Sequence, residues 1–199
     1  MRCWLTLTPL NCLLSRLETE GFSSLKLPVR RWGSPLFSHA RTVIEARSIF
    51  AMDAKIEQLT AGEHEWIAQQ IAIAREFVQR TLNKDTEGLP SPEDLDHAFD
   101  SWLHSLSHEQ SDANAVINCV GVAFGQHLVD TTPLEWVIAS DEYGAELALY
   151  GLPGQGDVLV YPQNFVAKRY EANVGIFIVE SVNQIRSDVS SVMRSHQKT

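Results

Sequence analysis

Residues 113 to 129 read ANAVINCVGVAFGQHLV, a run without a single lysine, arginine, aspartate or glutamate. A helix that is apolar or small on every side has to be enclosed by the rest of the fold, so this segment predicts a central, buried helix beginning near Asp112. Gly121 and Gly125 stand four residues apart within it. Both then lie on one side, where a second element can approach the backbone closely. No stretch of the chain reaches the roughly 18 apolar residues that a membrane crossing needs, so the GxxxG spacing reads as a packing device and no membrane partner is expected.

Two further helices are expected before it. Thr60 followed by Glu63 forms a capping box, and Ile67, Ile71, Ala74 and Val78 recur at helical spacing, which predicts a helix from Thr60 to about Asn83. In EGLPSPED, Ser91 can cap, Pro92 suits the first helical position, and Glu93 and Asp94 complement the helix dipole. The helix that follows carries Leu95, Phe99, Trp102, Leu103 and Leu106.

After Pro133 the apolar period changes from helical to alternating. LEWVIAS, the turn DEYG with Asp141 and Gly144, and AELALYGL predict a β-hairpin, with Trp136 in its first strand and Ala148 in its second. VLVY is a third strand ended by Pro162, residues 163 to 171 suit a short helix, and Val174 to about Arg194 suits a final helix. The expected fold class is α+β: three N-terminal helices, a three-stranded antiparallel sheet, then a short helix and a C-terminal helix, with the helices on one face of the sheet.

Residues 1 to 51 hold seven bases and three acids, which leaves nine bases and 22 acids, a balance of −13, for the remainder. The start MRCWLTLTPLNCLLSRL is too interrupted for a secretion signal, and Glu18, Glu20, Pro28 and Pro35 weaken an organelle transit sequence. The switch at Met52 fits a native start at MDAKIEQLT, so residues 1 to 51 are expected to be a disordered or non-native extension and 52 to 199 a single domain. Cys3, Cys12 and Cys119 form no CxxC pair, which favours a reducing, cytoplasmic setting, and Cys119 lies in the buried run as an inert thiol. A body this negative repels phosphate backbones, so nucleic acid is excluded as a partner and a basic protein is favoured.

No motif in the sequence marks a catalytic or ligand-binding site. GLPGQGD matches neither GxGxxG nor a Walker loop and joins two strands. His97, Asp100, His104 and His108 recur on one side of the second helix, yet a dedicated metal site draws ligands from several elements, so no metal or other cofactor is expected. Neither GxSxG nor a Cys and His constellation occurs. The carboxylate pairs Glu135 with Glu146, and Asp141 with Glu142, could serve acid–base chemistry, but Glu135 alternates with Leu134 and Trp136 as an outward strand residue should. No catalytic residue is assigned.

One cationic feature stands apart. From Asp85 to Ala167 there is no lysine or arginine, and then Lys168 and Arg169 arrive together. Arg169 is suited to hold one of the preceding carboxylates in a bidentate pair inside the fold. Alternatively, Lys168 and Arg169 form an anion-binding or partner-contacting patch with Tyr161 and Tyr170.

The segments GVAFGQHLVDTTPLEWVIASDEYGAELALYG and VLVYPQNFVAKRYE resemble the bacterial domain-of-unknown-function family 3806 over about residues 115 to 180. The features that carry the resemblance are Gly121 and Gly125, Trp136, Asp141 and Gly144, Ala148, and Pro162 with the Lys168 and Arg169 pair. It implies a compact bacterial domain with no assigned active site; Gly121, Gly125, Trp136, Asp141, Gly144 and Pro162 are read as structural. The acidic body and the missing catalytic constellation favour a non-enzymatic protein-binding domain, of immunity or regulatory type, that neutralises a basic partner. The rival is a small hydrolase or ligand-binding enzyme with a site near the hairpin and residues 161 to 170, and a homo-oligomeric subunit is a third option.

Overall fold

A computed structural model describes residues 54–105, 112–142 and 144–196. The expectations for residues 1 to 51, for Leu106 and for His108 lie outside the described residues. The elements run β1 (Lys55–Gln58), α1 (Ala61–Leu82), α2 (Pro92–Leu103), α3 (Ala113–Thr131), β2 (Glu135–Asp141), β3 (Gly144–Gly151), β4 (Val158–Val160), α4 (Pro162–Glu171) and α5 (Ile178–His196). The class is α+β, with five helices and a four-stranded antiparallel sheet in the order β1-β2-β3-β4.

Two details differ from the expected plan. The helices do not open the fold, because β1 precedes them and pairs with β2, Ile56 opposite Ala139 and Gln58 opposite Val137. Its sequence, KIEQ, contains one apolar residue, so no alternation marks it. The last helix begins at Ile178 and not at Val174. Asn173 takes a left-handed conformation, φ 55°, and the amide of Val174 donates to the carbonyl of Arg169 at 2.9 Å, a Schellman-type closure of α4. Residues 174 to 177 are then non-helical.

The helix starts follow their local chemistry. Thr60 accepts from the Glu63 amide while Glu63 reaches back to the Thr60 amide at 2.6 Å. Ser91 caps α2 through the Asp94 amide at 3.2 Å, with Pro92 in the first position. Asp112 caps α3 through the Asn114 amide.

Helix α3 is enclosed as its sequence demands: Val120, Val122, Ala123, Phe124 and Leu128 are fully buried. At the GxxxG glycines neighbouring elements come too close for a side chain. A Cβ at Gly121 would stand 2.7 Å from the Cα of Gln163 on α4, and one at Gly125 would stand 2.7 Å from Cζ2 of Trp136 and 2.9 Å from Cγ of Pro162. Two small residues thus let α4 and the sheet settle against the central helix.

The sheet divides the apolar side chains into two clusters. On one face Trp136, Leu147, Leu149, Val158 and Val160 join the main core with all five helices. On the other, Val137, Ala139 and Ala148 are buried among Ile56, Tyr150, Leu159 and Tyr161. Among the described residues, no residue within a helix belongs to this second cluster.

Candidate functional site

The short helix α4 carries all four residues of the proposed contact patch, but it separates them. Tyr161 sits at its N-terminal boundary and Tyr170 near its end. Nine residues at about 1.5 Å rise per residue place them roughly 13 Å apart along the axis. Tyr161 belongs to the second cluster, on the sheet face opposite the main core, whereas Tyr170 stacks on Trp102 of α2 with ring centroids 5.8 Å apart. The four residues therefore form two surfaces.

At the C-terminal end the expected internal ion pair of Arg169 is absent: among the described residues no carboxylate is paired with Lys168 or Arg169. The guanidinium lies instead over the ring of Phe165, 4.8 Å from its centroid, and 5.9 Å from that of Phe177. Arginine loses little hydration when its flat face meets a ring, so the aromatic floor takes the place of a counter-ion. That floor continues inward: Phe165 stacks on Phe124 at 5.4 Å, and Phe177 meets Phe99 edge-on at 5.7 Å. Lys168 is exposed.

The fixed point beneath this end is a buried carboxylate that composition alone does not distinguish from the other acids. Asp96 of α2, 3% exposed, accepts the backbone amides of Phe177 at 2.7 Å, Ile178 at 2.6 Å and Val179 at 3.0 Å. It supplies to α5, across the core, the cap that no residue beside that helix provides. The signal was present, since Asp96 shares a helical face with Phe99 and Leu103.

At the N-terminal end of α4 the surroundings are acidic. By strand alternation Glu135, Asp141, Glu146 and Tyr150 project on the same side of the sheet as Val137 and Ala148, and the register sets Ala139 opposite Glu146 and Glu135 opposite Tyr150. Burial pushes the Tyr161 hydroxyl above its ordinary pKa, and the negative charges of Glu146 and Asp141 push it further in the same direction. Asn164 donates to Glu146 at 2.7 Å, which holds that carboxylate against the start of α4. At the far edge the Tyr150 hydroxyl donates to Asp157 at 2.9 Å, and this bond, followed by burial, raises the tyrosine pKa. Asp157 also accepts the Gly154 amide at 3.0 Å. The face therefore presents two tyrosine rings over a small apolar floor, bordered by carboxylates.

The remaining candidates are scattered. His104 ends α2, its Nδ1 lying 2.9 Å from the Asp100 carbonyl and 3.4 Å from the Asp100 carboxylate. Among the described residues no group of three or more histidine, cysteine, aspartate or glutamate side chains is placed to hold a metal ion. Burial pushes the Cys119 thiol up to about 12, and its Sγ donates to the Val116 carbonyl. Such a thiol is a core group, inert at neutral pH. Trp136 donates from Nε1 to Gln126 at 3.1 Å, so it is a structural member of the α3 contact. Asp141 and Gly144 face each other at the closed end of the hairpin. The side-chain Nε2 of Gln163, buried against Gly121, has no hydrogen-bond partner within the described protein.

Elements, register and site together define a small α+β domain in which helices cover one face of an antiparallel sheet. Within it, residues 99–181 match the family model for a domain of unknown function, DUF3806, in agreement with the resemblance drawn from the sequence. No curated protein matches the chain. A crystal structure from Bacteroides thetaiotaomicron VPI-5482 is similar in fold, with a TM-score of 0.54 at 17% identity, over 67% of this chain and 47% of that one. The chain thus spans about half the length of that neighbour. No helix among the described residues is long and apolar enough to cross a membrane.

Proposed function

We propose that this protein is a protein-binding domain, of immunity or regulatory type, that engages a basic partner through the Tyr161 and Glu146 border of the sheet face turned away from the helices. The observation that carries the reading is the juxtaposition of Tyr161 and Glu146: a tyrosine ring beside carboxylates is a receptor for a lysine or arginine side chain, which can lie on the ring while its charge meets the acid. Asp141 and Glu135 extend the negative border, and the overall charge of −9 draws a cationic partner toward it.

Titration of the full chain with a synthetic lysine- and arginine-rich peptide, followed by fluorescence anisotropy at low and high salt, tests the reading. Saturable binding that weakens at least about tenfold in Glu146→Lys and in Tyr161→Ala is expected, with an alanine-rich neutral peptide as control. Equal binding by wild type and both variants would remove the sheet face as the receptor.

A further inference from the structure

Val174 and Ile176 are the large apolar side chains that the described residues leave exposed, at 38% and 60%. Their exposure is enforced by their neighbours. Gly175 is buried against α2, where a Cβ would stand 2.6 Å from the Cα of Asp100, and Phe177 is 5% exposed within the aromatic core. In an extended stretch alternate residues face opposite ways, so seating 175 and 177 inward turns 174 and 176 outward. The Arg169 carbonyl fixes one end of this stretch through the Val174 amide, and Asp96 fixes the other through Phe177 and Ile178. The two aliphatic side chains are therefore held on a rigid ledge, with little conformational freedom left to lose on binding.

Charge identifies the occupant. Two copies of a chain with net charge −9 repel each other, least where cations concentrate. Lys168 and Arg169, neither paired with a carboxylate among the described residues, stand on the last turn of α4 beside the ledge. Glu171 and Glu180, both exposed, flank the same stretch. A surface carrying both signs around an apolar centre can complement itself about a two-fold axis, with the Glu171 or Glu180 of one copy meeting the Lys168 of the other. We infer that Val174 and Ile176, with Lys168 and Arg169, form the surface on which a second copy of this chain docks. The contact is small, so the dimer is a weak and reversible one. It lies at the other end of α4 from Tyr161 and stands independently of the function proposed for the sheet face there.

Sedimentation equilibrium of the full chain, from about 10 μM to about 1 mM, reads this directly. The weight-average mass is expected to rise from 22.3 kDa toward twice that value. Ile176→Asp should stay monomeric throughout with an unchanged circular dichroism spectrum, and Lys168→Glu should weaken the dimer at least about fivefold. A monomeric mass at every concentration, or a rise unaffected by Ile176→Asp, would overturn the inference. So would cosedimentation with phosphatidylglycerol vesicles that depends on Ile176 while the free protein remains monomeric, since the ledge would then be a lipid contact. Glu146→Lys, placed on the sheet face, should leave the mass profile unchanged.

Discussion

One carboxylate oxygen of Asp96 accepts the amides of both Phe177 and Ile178, at 2.7 and 2.6 Å, and so ties α2, three residues before the family-matched region begins, to the end of that region, 81 and 82 residues further along the chain. The second oxygen takes Val179. These bonds decide where α5 begins and where the preceding ledge is anchored.

Replacing Asp96 with alanine would leave three amides at a buried helix start without a partner. Hydrogen bonds to a charged group contribute about 1.5–3 kcal/mol each and are not additive, so Asp96→Ala should cost about 3–5 kcal/mol in urea unfolding. Asp96→Asn keeps one acceptor oxygen and should lose roughly half as much. A cost below about 1 kcal/mol for alanine would mean that water replaces the carboxylate and that it is no anchor.

The glycine contacts separate close approach from mere helix weakening. Gly125→Ala drives a methyl into Trp136 and Pro162 and should destabilise by about 1–3 kcal/mol. At Gly62, in the first turn of α1, the nearest atom to an added Cβ is Oγ1 of Thr60 at 3.9 Å. Gly62→Ala should therefore stabilise, by up to about 1 kcal/mol, through helix propensity alone. Thermal unfolding of the two variants side by side checks the opposite signs.

Gln163 permits a change in the favourable direction. Its Nε2 is buried without a protein acceptor, and an unmade hydrogen bond of that kind costs about 1–3 kcal/mol. Gln163→Met keeps the unbranched shape against Gly121 and should be neutral or stabilising by about 1 kcal/mol. A loss of more than about 1 kcal/mol would show that the amide makes bonds that the packing does not reveal.

Much of this architecture was legible where local chemistry and tertiary demand agree. The capping box at Thr60 and Glu63, the Ser91-Pro92 start, the uncharged run of α3 and the alternation in β2 and β3 each state one outcome in a few residues. Legibility ends where partners are distant in sequence. β1 has one apolar residue, and its strand character comes from pairing with β2, about 80 residues later. Asp96 is indistinguishable by composition from the solvated acids around it; only its place beside Phe99 and Leu103 betrays burial. Arg169 illustrates the converse error. Charge patterning points to a carboxylate partner, but α4 places Phe165 one turn back on its own face, and the rings win the guanidinium.

A final prediction concerns acid. Asp94 receives Lys84 Nζ at 2.7 and 2.6 Å on its two oxygens, joining the end of α1 to the start of α2. That bond, opposed by burial and assisted by Ser91, holds the Asp94 pKa below its ordinary 3.8. A carboxyl whose pKa is depressed by folding adds stability above its unfolded value and loses it as pH falls through the folded one. Lys84→Met should therefore be less stable than wild type at about pH 6, and the gap should narrow as pH falls below the ordinary carboxylate range toward about pH 2 and Asp94 takes up its proton. Urea midpoints at the two pH values read the difference. A gap that persists unchanged in acid would show that Lys84 stabilises the α1–α2 junction by packing its stem and not through the charge of Asp94.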